Sequence, residues 1–566
     1  MRKNAGLGFG GRRCAAALSA AVVALGLVGC QNPKNGGKAV NTTGGDLNIN
    51  YQAEYQGNPY LPLWEYIPDG EPYVFEDPDN PGKLRLYVYG SHDTLKTEYC
   101  GKDLVVWSAP VEDLTDWRLD GVIFESVVNG SADTLYAPDV CLVEKDGKKT
   151  YYLYPNNQSW GRNSMVASSD RPDGPFTPVN FVEGSTTQTF GPLGFDPAVF
   201  VDDDGAVYGY WGFVSSWWAR LDPENMSDLA PGENAKKNIP SYDEMMSDSY
   251  NPEDFNIVQD ENVKKWGFFE ASSIRKVGNK YVFIYSRNGL LDEPTGKNYN
   301  QLAYGYSDSP AGPWKYGGII VDAAGEVIPD GSGGYQRTFN FGNTHGSICE
   351  VDGQWYVFYH RNIQTYARQA MVESITVDWD ERPVSEGGEV RISTAEVTSN
   401  GFFTNGLNPY QRHSFAIASY MTNSYITPVY EQDATTLPLT LQTGAVVGIK
   451  YFNMDLDAPY DGDSVLEIEL VPKGVKTDLD IYLRPASAVN TPVERDEELN
   501  IVSVGEGSFK LGSISLDESM PSEPTTFTVS ASRISELSGQ WAVFVVPTTK
   551  RNADLCELRY MQLVEK

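Results

Sequence analysis

Positive charge is the first thing in short supply. Against 76 Asp and Glu stand 44 Lys and Arg, which leaves a net charge of −32. A chain this acidic repels phosphate backbones and anionic lipid, so nucleic acid is excluded as a partner. Cysteine is scarce as well, with six in 566 residues. Cys14 and Cys30 fall in an N-terminal leader. Cys100, Cys141, Cys349 and Cys556 lie far apart with no Cys-x-x-Cys pair, which argues against a zinc site. A disulfide and free buried thiols both stay open. Long apolar runs are missing: the longest, Ala15 to Val28, is too short to span a bilayer comfortably. Long amphipathic helical patterns are missing too. What is abundant is aromatic, with 34 Tyr and 12 Trp. Such rings fill β-sheet cores and also stack on sugar rings.

The leader is basic at Lys3, Arg12 and Arg13, then apolar, and ends in Leu27-Val28-Gly29-Cys30. That ending resembles the bacterial lipobox, where the signal is cut before the Cys and acyl chains are attached to its sulfur. Residues 1–29 then read as a signal peptide, and 30–49, rich in Asn, Gly and Lys, as a flexible tether. The expected location is the bacterial cell envelope, with an exported body held at the outer membrane or cell surface through Cys30.

The body repeats. A turn with Gly or Asn feeds an aromatic-aliphatic strand at Pro81–Tyr89, Asp146–Tyr154, Asp203–Trp211, Val277–Tyr285 and Val351–Tyr359. Ser168-Ser-Asp-Arg-Pro-Asp-Gly-Pro-Phe176 is echoed by Ser307-Asp-Ser-Pro-Ala-Gly-Pro-Trp314. Repetition of this kind in an all-β pattern implies a five-bladed β-propeller over residues 50–395. Beyond residue 400 the signature stops while short strands persist, which reads as a β-sandwich over 405–566.

A propeller brings one strand of each blade to a common axis, so acids at equivalent places converge. Glu270, in Trp266-Gly-Phe-Phe-Glu-Ala-Ser-Ser-Ile-Arg-Lys276, is flanked by aromatics. Desolvation there disfavours its charge and raises its pKa, as a general acid needs. Glu71 precedes the first hairpin in Tyr66-Ile-Pro-Asp-Gly-Glu-Pro-Tyr-Val-Phe75, with Asp69 beside it. Asp139 precedes the second in Tyr136-Ala-Pro-Asp139, Asp196 the third, and His345 the fifth. Trp211 is a candidate sugar platform, as are Trp64, Tyr66, Trp160, Trp217 and Trp218.

Tyr136-Ala-Pro-Asp139, Phe269-Glu-Ala-Ser-Ser-Ile274 and Asn343-Thr-His-Gly-Ser-Ile348 together resemble glycoside hydrolase family 43, the five-bladed propeller glycosidases. The resemblance implies an inverting acid/base mechanism without a required cofactor. Glu270 would be the general acid and Asp139 would tune its pKa. The family's base is an Asp in an Asp-Pro pair. Here Glu71-Pro72 occupies that place, with a carboxylate about 1.5 Å further out, and Asp69 is the alternative base. Asp196 and His345 would contact substrate, and relatives hold water or Ca2+ near such a His. The C-terminal part loosely resembles family 6 carbohydrate-binding modules at Val447–Asn453 and Cys556–Gln562.

The expected protein is an α-L-arabinofuranosidase or β-xylosidase type glycoside hydrolase acting on plant-type polysaccharide or oligosaccharide. Arabinofuranosyl, xylosyl and galactosyl units are all open. The alternatives are a surface glycan-binding protein that has lost catalysis and a purely structural scaffold.

Overall fold

The computed structural model describes residues 49–52 and 57–566, apart from positions 129, 160, 291, 292, 294–297, 331, 332, 433 and 499. The expected signal peptide, the expected tether up to residue 48, Cys30 and Trp160 therefore lie outside the described residues. The chain is nearly all β. Among the described residues the only α-helix is the single turn Tyr242–Met245.

Five antiparallel sheets make the propeller. Their axial strands are Glu71–Glu76, Asp139–Lys145, Ala198–Val201, Phe268–Val277 and Ser347–Val351. These strands pack on one another in a ring. Each is followed by a strand from the repeated hairpin: Leu84–Gly90, Lys148–Tyr154, Val207–Trp211, Lys280–Arg287 and Gln354–Gln364. Blades pack face to face, so these second strands are covered on both sides. All eight residues of Lys280–Arg287 are buried, which explains near-continuous apolar runs where a half-exposed strand would alternate. Side chains such as Leu86, Val88, Val106 and Trp107 are wholly out of water, each worth roughly 1.5–3 kcal/mol.

The ring closes between its first and last blades. Gly70 and Gly346 form a parallel bridge there. A Cβ on Gly346 would stand 1.9 Å from the Phe358 carbonyl oxygen, so only glycine fits. The Asn58 side chain acts as an extra strand residue: its amide donates to the Val372 carbonyl at 2.7 Å and accepts from the Val372 N–H at 2.9 Å.

The C-terminal part is a nine-stranded sheet folded over on itself as a sandwich. The long strand Leu439–Asn453 belongs to both halves. Its first residues pair with Asp554–Glu565 and its last with Gln540–Pro547. Tyr420–Ile426 follows it around the corner, where Asn423 and Gly444 both take positive φ. Leu439, Ile449, Leu466, Ile481 and Leu558 fill the interior, and the same core runs into the propeller through Leu63, Tyr66, Phe339 and Ile363.

A buried ionic knot joins the two parts. Glu326 of the propeller side receives Lys450 Nζ at 2.9 Å and Arg484 Nη2 at 2.7 Å, with all three at most 1% exposed. Cys100, Cys141, Cys349 and Cys556 are buried and free.

Candidate active site

The axial strands all begin at one end of the propeller, and a cavity of about 630 Å3 opens there. Three carboxylates line it: Asp69, Asp196 and Glu270. Each sits at a backbone kink. Asp69 has φ +61 and Asp196 φ +49, and Ala271, next to Glu270, has φ +66. Asp tolerates this left-handed region better than most residues. At Ala271 the pairing of Phe268–Val277 with Lys280–Arg287 slips between Glu270 and Ser273. A bulge of this kind re-aims a side chain out of the regular pleat.

The three acids have different surroundings. Asp69 Oδ1 lies 3.1 Å from Arg368 Nη1, and its Oδ2 accepts from the Ser91 hydroxyl. Burial alone would raise its pKa, but Arg368, helped by His345 and Ser91, holds it below the ordinary Asp value. His360 accepts the Asp69 N–H on Nδ1 at 3.2 Å, and its Nε2 lies 2.9 Å from the Asn343 carbonyl oxygen. Burial depresses the His360 imidazole to about 3, so the ring is neutral.

Among the described residues Glu270 has only Asn343 Nδ2 on it, at 3.2 Å. Burial, and then the charge of Asp196, push its carboxyl up to about 8. Burial also raises Asp196, against His345. Asp196 accepts the Ala271 N–H at 3.0 Å and Asn156 Nδ2 at 2.9 Å. With more donors aimed at it, Asp196 keeps its charge better, and a proton shared by the pair rests on Glu270.

A second polar cluster extends from the cavity lining, of which His345 is part, into the channel. His345 stands between Glu71 Oε1, 3.6 Å from Nε2, and Asp196 Oδ2, 3.7 Å from Nδ1. Burial opposes its charge, yet Glu71, Asp196 and Asp69 outweigh burial and raise it to about 9. Glu71 is 1% exposed and does not line the cavity. Its Oε2 is taken by Arg275 Nη2 at 2.6 Å and Ser273 Oγ at 3.1 Å. Asp139 lies outside the lining as well. It accepts from Tyr73 Oη at 2.6 Å and the Val199 N–H at 2.7 Å, which ties the second blade to its neighbours. Trp211 packs with Leu193, Val199 and Leu221 in a blade core, against Gly194, rather than facing the cavity.

The channel does not fit the calcium ion that the resemblance allows. That ion takes about 6–8 oxygens. Here Glu71 is committed to Arg275, and among the described residues no group of three His, Cys, Asp or Glu could hold a metal.

Sequence reasoning missed Arg368, Asn343, His360 and Asn156. Arg368 lies in the strand Ala367–Ile375, eight of whose nine residues are buried, and a buried guanidinium requires a carboxylate partner.

A xylosidase/arabinosidase of Thermoclostridium stercorarium is 34% identical over 345 residues, 56% of this chain and 64% of that protein. This chain thus spans less than two thirds of that relative's length. Xylosidase/arabinosidase 43A of Humicola insolens is 30% identical over 367 residues, 57% of this chain and 98% of its own length. A beta-xylosidase of Xylanibacter ruminicola is 31% identical over 350 residues, 56% of this chain and 94% of its own. Residues 85–383, more than half of the 566, match the model of the glycosyl hydrolases of family 43, and the chain belongs to that family.

Proposed function

We propose that this glycosidase removes a terminal arabinofuranosyl or xylosyl unit from xylan- or arabinoxylan-type glycans by single displacement with inversion. The observation that carries the reading is the contrast between two acids facing one cavity: Asp69 held ionised by Arg368, and Glu270 held protonated by burial and Asp196. An ionised carboxylate can take a proton from water, and a protonated one can give its proton to the leaving oxygen. These are the two roles that inversion requires.

In this reading Glu270 is the general acid, Asp69 the general base, and Asp196 the charge that keeps Glu270 protonated. Glu71 and Asp139 hold the channel together beneath them. His345, between Glu71 and Asp196, orients Asp196. The choice of pentose rests on the relatives named xylosidase, arabinosidase or both. The lipobox-like Leu27-Val28-Gly29-Cys30 supports an exported protein tethered to the cell envelope by lipid on Cys30. The C-terminal sandwich is proposed to brace the propeller through the Glu326 knot, whether or not it also binds glycan.

The test is sugar release from arabinan, arabinoxylan, xylo-oligosaccharides and galactan, with the anomer of the first-released sugar followed by NMR. Release of pentose with inverted configuration, lost in Glu270→Gln and Asp69→Asn, supports the reading. Binding of one polymer without release would make the chain a glycan-binding protein instead.

A further inference from the structure

The turn joining Val207–Trp211 to Trp217–Leu221 is built against the preferences of its own backbone. Gly212 has φ +147, and a Cβ there would stand 2.0 Å from the Ser215 carbonyl oxygen. Val214 has φ +48, a region that β-branched residues essentially avoid. The conformation is held by the Val214 N–H, which donates to the Phe269 carbonyl at 2.7 Å. Phe269 is the residue before Glu270. Strain of this kind persists only where the surroundings over-determine it, and it directs attention to what the segment displays.

What it displays is Phe213. The side chain is 50% exposed, although it is a phenylalanine, and it lines the mouth of the cavity. Its ring lies 5.3 Å from that of Phe195 and 5.3 Å from that of Phe269. Phe269 in turn stacks on Tyr299, with centroids 4.3 Å apart. The result is a continuous aromatic wall on the Glu270 side. At 630 Å3 the cavity has room for more than the one sugar being cut off.

Chemistry tells the two sides of the cavity apart. The acid must touch the leaving oxygen, so the leaving group lies on the side of Glu270. The attacking water lies with Asp69 and Arg368. The C–H face of a sugar ring packs well on an aromatic face, and an exposed Phe gains most from being covered. We propose that Phe213, held out by the strained Val214 turn, is the platform for the leaving-group sugar, a pyranose ring of the glycan that remains after cleavage. It thereby selects substrates by what carries the pentose. This assignment rests on Glu270 being the acid.

The experiment compares kcat/KM of wild type, Phe213→Ala and Phe213→Tyr on two substrates with the same pentosyl unit. One is an oligosaccharide, from which a sugar must leave. The other is the pentosyl fluoride, whose leaving group is a single atom. Phe213→Ala is expected to lose about ten-fold on the oligosaccharide. On the fluoride it should stay within about two-fold of wild type, with inhibition by free pentose unchanged. Phe213→Tyr should restore most of the loss. Equal losses on both substrates would overturn the platform by showing a general structural effect, and so would no loss on the oligosaccharide. A wild type inactive on both would overturn the proposed function, and the platform with it.

Discussion

Arg368 and Asp69 meet across the seam between the last and first blades, with Nη1 3.1 Å from Oδ1. The same guanidinium reaches Asp93 with Nη2 at 2.8 Å, so one buried cation serves both closure of the ring and the charge of the proposed base. Arg368→Met is expected to cut kcat more than about 100-fold, because Asp69 loses the charge that keeps it ionised. The sign follows from the depressed pKa. The stability this pairing contributes is present above the ordinary Asp value and fades as pH falls through the lower folded one. In the variant the acid limb of the rate profile should move to higher pH. Breaking a buried pair costs on the order of 3–5 kcal/mol, so the melting temperature should drop as well. Rate profiles and calorimetry on the same preparation check both.

Asp69 and Glu71 should separate cleanly on substitution. Asp69→Asn removes the group facing the cavity and should cost about 100- to 10,000-fold in kcat. Glu71→Gln instead leaves the Arg275 guanidinium buried without its carboxylate. The expected result is a lower melting temperature, by the equivalent of roughly 3 kcal/mol, with residual activity per folded molecule within about ten-fold of wild type. A Glu71 variant that folds as well as wild type yet is inactive would return the base to Glu71.

The pH profile of kcat/KM reports the free enzyme's acid and base. Glu270 must be protonated to act, and its carboxyl is pushed up to about 8, so activity should fall as pH rises through about 8. Asp69 must be ionised, and its carboxyl is held below the ordinary Asp value, so the acid limb should lie below that value too. Asp196→Asn removes a negative charge beside Glu270 and should shift the basic limb downward. A basic limb that stays put would show that Asp196 does not tune the acid.

The propeller was legible because five turn-and-strand units carry their own local signal, and a hairpin is a local object. Which of Asp69 and Glu71 faces the cavity was not, because in the sequence they stand two residues apart before the same hairpin. What separates them is the kink at Asp69, φ +61, which faces it to the cavity while Glu71 becomes the first residue of the strand and points into the channel. The Asp69-Gly70 dipeptide is a turn signal and could have marked the kink. Asp196 was assigned only to substrate contact although it too precedes an axial strand, since its nearness to Glu270 depends on how the third and fourth blades pack. Trp211 showed the opposite failing. Nothing in a sequence says which of many aromatics is needed for the core, and Gly194 beneath that ring is evident only once the chain is folded.

The knot between the two parts is an ionic one. Glu326 is buried with Lys450 and Arg484 around it. Burial works against its charge, but the two cations hold its carboxyl down at about 2. The group's folded pKa is depressed, so its stability is fully present above the ordinary Glu value and is lost as pH falls from there towards about 2. Glu326→Gln should therefore destabilise the protein at neutral pH by on the order of 3–5 kcal/mol, since the buried Arg484 loses its carboxylate and Lys450 is left with Glu396 alone. The difference from wild type should shrink as pH drops below about 4. Because Lys450 and Arg484 belong to the sandwich and Glu326 to the propeller side, the variant should also be cut more readily by protease between the two parts. Unfolding curves from pH 7 to pH 3, with limited proteolysis alongside, test this. A penalty that does not change with pH would mean that the knot's charge contributes nothing, and that apolar contacts such as Tyr66 and Phe339 with Phe415 and Ile417 hold the parts together alone.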